Sequence, residues 1–193
     1  EQQEIIERQN IYDGTWSKTP SMGWMFVPLM EYQGGGAAAT IEPLDAHRDH
    51  YERRLNNLLG AGVQACYRGP RLFDTDATRK MVKARVAWFK RHRAILESDV
   101  VHGVRANGRD IDWLLHVSPG APDAGMLVAY NPRPEEVQSN IKVNMYYTGL
   151  RGEAVLVGED GVNSTVHVGT DGVAHVPVKI AGRGMAWYLV RKP

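Results

Sequence analysis

Two carboxylates, two arginines and two tyrosines fall where a chain of this pattern would place its chemistry. Glu31, Tyr32 and Gln33 directly follow the apolar run Gly23 to Met30. Tyr67 closes a second apolar run that begins at Val63, with Arg68, Arg71 and Asp74 just beyond it. A carboxylate at Glu31 can act as nucleophile, acid or base, can accept hydrogen bonds from sugar hydroxyls, or can pair with Arg68 on the neighbouring strand. Tyr32 can stack on a sugar ring or pack against its surroundings. Arg68 and Arg71 each offer several donors in one rigid plane, suited to hydroxyls or to a substrate carboxylate. Asp74 is either a second carboxylate for the site or the cap of the following helix. Cleavage of a glycosidic bond usually takes two carboxyl groups, about 5–5.5 Å apart when configuration is retained and about 6.5–9.5 Å apart when it is inverted. Glu31 and Asp74 are the candidate catalytic pair on these loops, with Tyr32, Gln33, Tyr67, Arg68 and Arg71 as candidate substrate contacts.

Other chemistries find less support. His47 and His50 stand three apart on a helix, a spacing that can hold metal, but no carboxylate set accompanies them, so no metal is expected. Gly34-Gly35-Gly36 is not followed by Lys and Ser or Thr, as a phosphate loop requires, and no cofactor is expected. The single cysteine, Cys66, lies in an apolar run and reads as a structural thiol. A formal net charge of +1 provides no global field for nucleic acid or an anionic membrane, and the basic run Arg79 to Arg93 reads as a solvated helix face. No apolar run reaches the roughly 18 residues that span a bilayer. Neither nucleic acid nor membrane is an expected partner.

The elements that must position these residues follow a simple order. Gly23 to Met30 and Val63 to Tyr67 read as strands buried on both faces, as in a parallel sheet, although Pro28 cannot donate a ladder hydrogen bond. Between them a helix is expected from about Pro43 to Leu59, with Leu44, Tyr51, Leu55, Leu58 and Leu59 on one face and Gly60 as its stop. A second helix is expected from about Ala77 to Glu97, with Val82, Val86, Phe89 and Leu96 as its stripe, Trp88 and Ile95 widening it, and Asp74, Thr75 or Asp76 as cap. Glu1 to Gln9 reads as the end of a helix. Strand, helix, strand, helix with short links is the pattern of parallel βα units. In a β/α barrel the functional residues sit on the loops after the strands, which selects the two segments above. Two such units cannot close a barrel, so further strands or another chain are expected as partners.

Beyond a turn-rich link from Ser98 to Asp110 the pattern becomes all-β. Strands are expected at Asp112–Val117, Met126–Tyr130, Val137–Tyr147, Ala154–Val157, Thr165–Val168, Ala174–Ile180 and Met185–Val190, with tight turns at Asp160-Gly161 and Asp171-Gly172. The expected fold class is therefore α/β plus all-β: residues 1–104 as two parallel βα units and residues 105–193 as an antiparallel β-sandwich. A resemblance carried by residues 89–96 makes the two units the last of a (β/α)8 barrel. Trp88, Trp113 and Trp187 are expected in the core, and Trp16 and Trp24 near the mouth.

One segment carries a family resemblance. Phe89-Lys90-Arg91-His92-Arg93-Ala94-Ile95-Leu96 resembles the last barrel helix of retaining glycosidases of the melibiase (alpha-galactosidase) clan, where a Tyr/Phe-Lys-x-x-Arg-x-Ile/Leu-Leu helix leads into an all-β domain. Asp112 to Val117, Met126 to Pro132 and Tyr146 to Leu150 resemble strands of that domain, and the order of motifs matches from about residue 20 to the end. The resemblance implies part of a β/α-barrel glycoside hydrolase with a bracing C-terminal sandwich and a carbohydrate substrate. It also implies that both catalytic aspartates come from earlier strands, outside this chain. Two other readings stay open: a non-catalytic carbohydrate-binding or accessory module that uses exposed aromatics such as Tyr146 and Tyr147, and a structural subunit completed by a partner chain.

Overall fold

The computed structural model describes residues 2–15, 24–27, 41–67 and 71–193, and of residues 2, 3, 24–27 and 64–67 the backbone alone. The elements run in the order α1 (Gln2–Thr15), β1 (Trp24–Val27), α2 (Arg48–Gly60), β2 (Gln64–Tyr67), α3 (Asp76–Leu96), β3 (Asp99–His102), β4 (Asp112–Val117), β5 (Asp123–Tyr130), β6 (Val137–Asn144), a three-residue helical turn (Tyr146–Thr148), β7 (Gly152–Gly158), β8 (Asn163–Val168), β9 (Val173–Ile180) and β10 (Met185–Arg191).

β1 and β2 pair in parallel, from Trp24 opposite Gln64 to Val27 opposite Tyr67, with α2 as the crossover. This is the βα arrangement that the apolar runs imply. Two strands are paired here, and a closed barrel is not part of the described structure. α2 buries the expected face, with Tyr51, Leu55 and Leu58 fully inaccessible, and Leu44 is equally buried in the turn ahead of it. The helix begins at Arg48 rather than Pro43, which lies in the same turn. Its end is set by two different glycines. Gly62, at φ +71°, takes the left-handed position, and the N–H groups of Gly62 and Val63 close onto the carbonyls of Leu59 and Leu58. Gly60 is needed for a separate reason, since a Cβ there would meet the Tyr130 hydroxyl and come within 2.9 Å of the Met185 sulfur. The helix end lies directly on the sheet. α3 opens on a capping box in which the Thr75 side chain accepts from the Thr78 N–H and the Thr78 hydroxyl accepts from the Thr75 N–H.

The expected sandwich is a single curled antiparallel sheet of eight strands, in the order β3-β4-β5-β10-β7-β8-β9-β6. The eighth strand is β3, which occupies the start of the link that reads as turn-rich. The strand expected to reach Tyr147 stops at Asn144, and the chain turns through Tyr146–Thr148 instead. The two Asp-Gly turns form as expected, with Gly161 and Gly172 at φ +73° and +79°.

Curling gives the sheet two distinct regions. β8 and β9 alternate buried and exposed residues, as strands with one wet face must. β4 is buried at every position. One face of β4, β5 and β10, carrying Leu114, Met126, Val128, Tyr130, Trp187 and Leu189, packs with Trp88, Leu55 and Leu58 of the helices. The opposite face, with Trp113, Leu115, Leu127, Ala129 and Val190, packs against Val143, Val166, Val176 and Ile180 from the far half of the sheet. The three core tryptophans are where the sequence places them.

Candidate functional site

The loops beyond β1 and β2 hold the candidate residues. Glu31, Tyr32, Gln33 and Arg68 lie outside the described residues, and Tyr67 is described as the last residue of β2 by its backbone. Arg71 and Asp74 are described in full, and both engage the segment that leads into α2.

Arg71 meets Glu42 side on, with Nη2 3.0 Å from Oε2 and Nε 3.3 Å from Oε1. The two hydrogen bonds fix the guanidinium plane, and they raise the Arg71 pKa beyond its ordinary value. About half of the Arg71 side chain stays open to solvent. Asp74 accepts through both oxygens. Oδ2 takes the N–H of Asp45 at 3.1 Å and Oδ1 takes the Thr78 hydroxyl at 3.0 Å. Desolvation pushes the Asp74 carboxyl up, but the hydrogen bonds from Asp45 and Thr78, with the nearby Arg71 charge, outweigh it and hold the pKa below the usual aspartate value. The Tyr51 hydroxyl donates to the carbonyl of Leu72 at 2.9 Å. Three ties therefore bind the approach to α2 to the approach to α3: Glu42 to Arg71, Asp45 to Asp74, and Tyr51 to Leu72.

This geometry limits what each residue can do. A general acid at neutral pH needs a raised pKa. Asp74 has a lowered one, which favours the ionised form that accepts hydrogen bonds from hydroxyls. Arg71 keeps exposed donors while its orientation is fixed by Glu42. Glu42, Asp45 and Thr78 are not singled out by sequence patterning. Glu42 and Arg71 are 29 positions apart, and only the parallel crossover brings them together.

A second polar cluster lies between α1, α2 and the sheet. Arg8 pairs with Asp112 through two bonds of 2.8 and 3.0 Å and lies over the Tyr130 ring, its guanidinium carbon 5.1 Å from the centroid. Arg54 meets Glu7 at 2.9 Å, Arg53 meets Glu4 at 2.8 Å, and the Asn57 amide donates to Glu7 at 2.8 Å. Glu7 Oε1 and Arg54 Nε are buried without a hydrogen bond, and the ion pairs with the remaining bonds fasten α1 to the rest of the chain. Among the described residues no three His, Cys, Asp or Glu side chains gather to hold a metal ion, and no helix is long and apolar enough to cross a membrane.

Comparison with known proteins bears on the fold. No family model matches the sequence, and no curated protein matches it. Among solved structures, a candidate alpha-galactosidase/melibiase of Bacteroides fragilis superposes with a TM-score of 0.56 at 12% identity, over 97% of this chain and 38% of the other. The galactosidase domain of the alpha-galactosidase–sucrose kinase AgaSK superposes with a TM-score of 0.58 at 14% identity, over 96% of this chain and 24% of the other. The chain thus has part of the fold of these two proteins, and it spans well under half of their length.

Proposed function

We propose that this chain is part of a glycoside hydrolase: its βα units supply substrate-binding loops and its curled β domain braces them. The observation that carries the reading is the continuity of the likeness. A parallel β1–α2–β2–α3 unit and an eight-stranded antiparallel sheet superpose together on two galactosidase-type structures, over nearly all of this chain and a minor share of theirs. In this reading Arg71, with Glu31, Tyr32, Gln33, Tyr67 and Arg68, contacts sugar hydroxyls at the rim of a barrel whose other strands lie elsewhere. Asp74 fixes the rim loops and can accept from a hydroxyl. The proton-donating acid comes from the missing strands, in keeping with the lowered pKa of Asp74.

The reading is tested by assaying aryl glycosides with the 193-residue chain alone and with the chain joined to its upstream coding sequence. The chain alone should be inactive and the joined protein active. In the joined protein Arg71→Ala should raise KM more than it lowers kcat, because a hydroxyl contact made equally in ground and transition states acts mainly on binding. Robust hydrolysis by the chain alone would overturn the partial-enzyme reading.

A further inference from the structure

The β domain carries a pair of aromatic rings that the rim does not use. Tyr146 and Tyr147 are 52% and 58% exposed at the turn between β6 and β7. The backbone beneath them is pinned. Met145 is fully buried and its N–H donates to the Gly172 carbonyl at 2.8 Å. The Tyr146 N–H donates to Asn144 Oδ1 at 3.0 Å. The buried Thr148 hydroxyl donates to the Met145 carbonyl at 2.7 Å and accepts from the Leu150 N–H at 3.2 Å. Gly149, at φ +77°, closes the turn. The turn thus holds two large rings in fixed positions with about half of each open to water.

The rings make a corner. Their centroids are 5.2 Å apart and their planes stand at 84°. The Arg151 guanidinium carbon lies over one face of the Tyr146 ring, 4.8 Å from its centroid, and Nη1 donates to the Leu150 carbonyl at 2.8 Å, which fixes the planar fork and leaves its other donors at the edge of the corner. Tyr147 also lines a cleft with Val101, His102, Val117 and Pro119 along the edge strand β3. Among the described residues the other exposed large apolar side chains, including Leu72, Phe73, Val104 and Val162, belong to other segments. The pair is therefore a compact local site rather than the centre of a broad apolar face of the kind that a protein partner covers.

We propose that Tyr146, Tyr147 and Arg151 form a carbohydrate-binding site separate from the barrel rim, taking one pyranose of a soluble oligosaccharide. A pyranose presents an apolar C–H face to an aromatic ring and hydroxyls at its edge to a guanidinium. Perpendicular rings suit one sugar set into a corner, with the rest of the chain along the β3 cleft. They do not suit a flat polysaccharide surface, which needs rings in one plane. The inference rests on the reading of this chain as carbohydrate-active, but it uses none of the rim residues.

The test uses the whole 193-residue chain. Calorimetry and NMR would follow titration with gluco-, galacto- and manno-oligosaccharides, and insoluble cellulose would serve as the flat surface. Wild type should bind at least one soluble oligosaccharide. Tyr147→Ala and Tyr146→Ala should each weaken that binding about tenfold or more, which is about 1.4 kcal/mol. Circular dichroism would confirm that both variants fold, and Arg71→Ala would be the rim comparator. Absence of binding to every sugar, binding to cellulose alone, or self-association that Tyr147→Ala abolishes would each overturn the proposal. Binding lost in Arg71→Ala and kept in both tyrosine variants would also overturn it, while leaving the rim reading intact. Binding at the corner without hydrolysis by the joined protein would do the reverse.

Discussion

Acid should loosen this chain through imidazoles that burial holds neutral, His50, His92 and His102 among them and His116 most of all. His116 is fully buried on the helix-facing side of β4, with Nε2 2.8 Å from the carbonyl oxygen of Gly60 at the end of α2. That contact requires the proton on Nε2, and it leaves Nδ1 buried without a partner. Burial drives the His116 pKa down from 6.5 to about 4, against the opposing pull of the Gly60 carbonyl. The folded pKa lies below the unfolded one, so the unfolded chain takes up the proton first as pH falls. The contribution is whole above pH 6.5 and is lost on the way down to about 4. A gap of that size is worth about 3 kcal/mol. Glu7 and Asp112 work in the other direction, because burial raises their pKa values and the folded chain binds their protons first. A comparison with His116→Gln isolates the imidazole, since glutamine can donate to Gly60 and does not titrate. Urea unfolding from about pH 7 to about pH 4.5 should show wild type losing about 2 to 3 kcal/mol more than His116→Gln. Equal losses in the two proteins would refute the reasoning.

Two further perturbations probe the joints that hold the elements together. Arg8→Ala leaves Asp112 buried without its partner and should cost about 3–5 kcal/mol in urea unfolding, most of it recovered in the Arg8→Met, Asp112→Leu double variant. Thr78→Val removes the half of the α3 capping box in which the Thr78 hydroxyl accepts from the Thr75 N–H, and a hydrogen bond to Asp74. It should cost about 1–3 kcal/mol and speed hydrogen exchange in the first turn of α3, whereas Thr78→Ser should keep most of both.

The legible parts of the fold were those where burial follows a period. The stripe of α2 and the Asp-Gly turns follow directly from residue type. α1 runs six residues past Gln9 because its buried face is Glu4, Glu7, Ile11 and Thr15, a helical spacing with one apolar member. Hydrophobic periodicity cannot find a helix that docks by ion pairs. β3 escaped because Asp99–His102 is four residues long and is followed by Gly103 and a polar link. Gly60 read as a stop signal, yet its glycine is needed for the close approach of Tyr130 and Met185, which no local pattern shows. At the candidate site, barrel-loop logic selected Arg71 and Asp74. Their partners Glu42 and Asp45 could not be found the same way, because a crossover joins them.

The buried strands explain why the helical and β parts depend on each other. A sheet that curls on itself needs one apolar face, and β8 and β9 have only that. β4, β5 and β10 carry a second apolar face, and α2 and α3 cover it. Whatever boundary is drawn between the two parts, this cluster crosses it, and so do Arg8 to Asp112, His116 to Gly60 and Tyr130 to the Asn56 carbonyl. Removing the helices would expose Leu114, Met126, Val128, Trp187 and Leu189 together and strand Asp112 and His116 without partners. The β domain is thus suited to fix the ends of α2 and α3, and through Thr78 and Asp74 the loops ahead of them. Sheet and helices form one packed unit, in which Trp88, Ile95 and Leu96 of α3 share a cluster with Leu114, Met126 and Trp187 of the sheet.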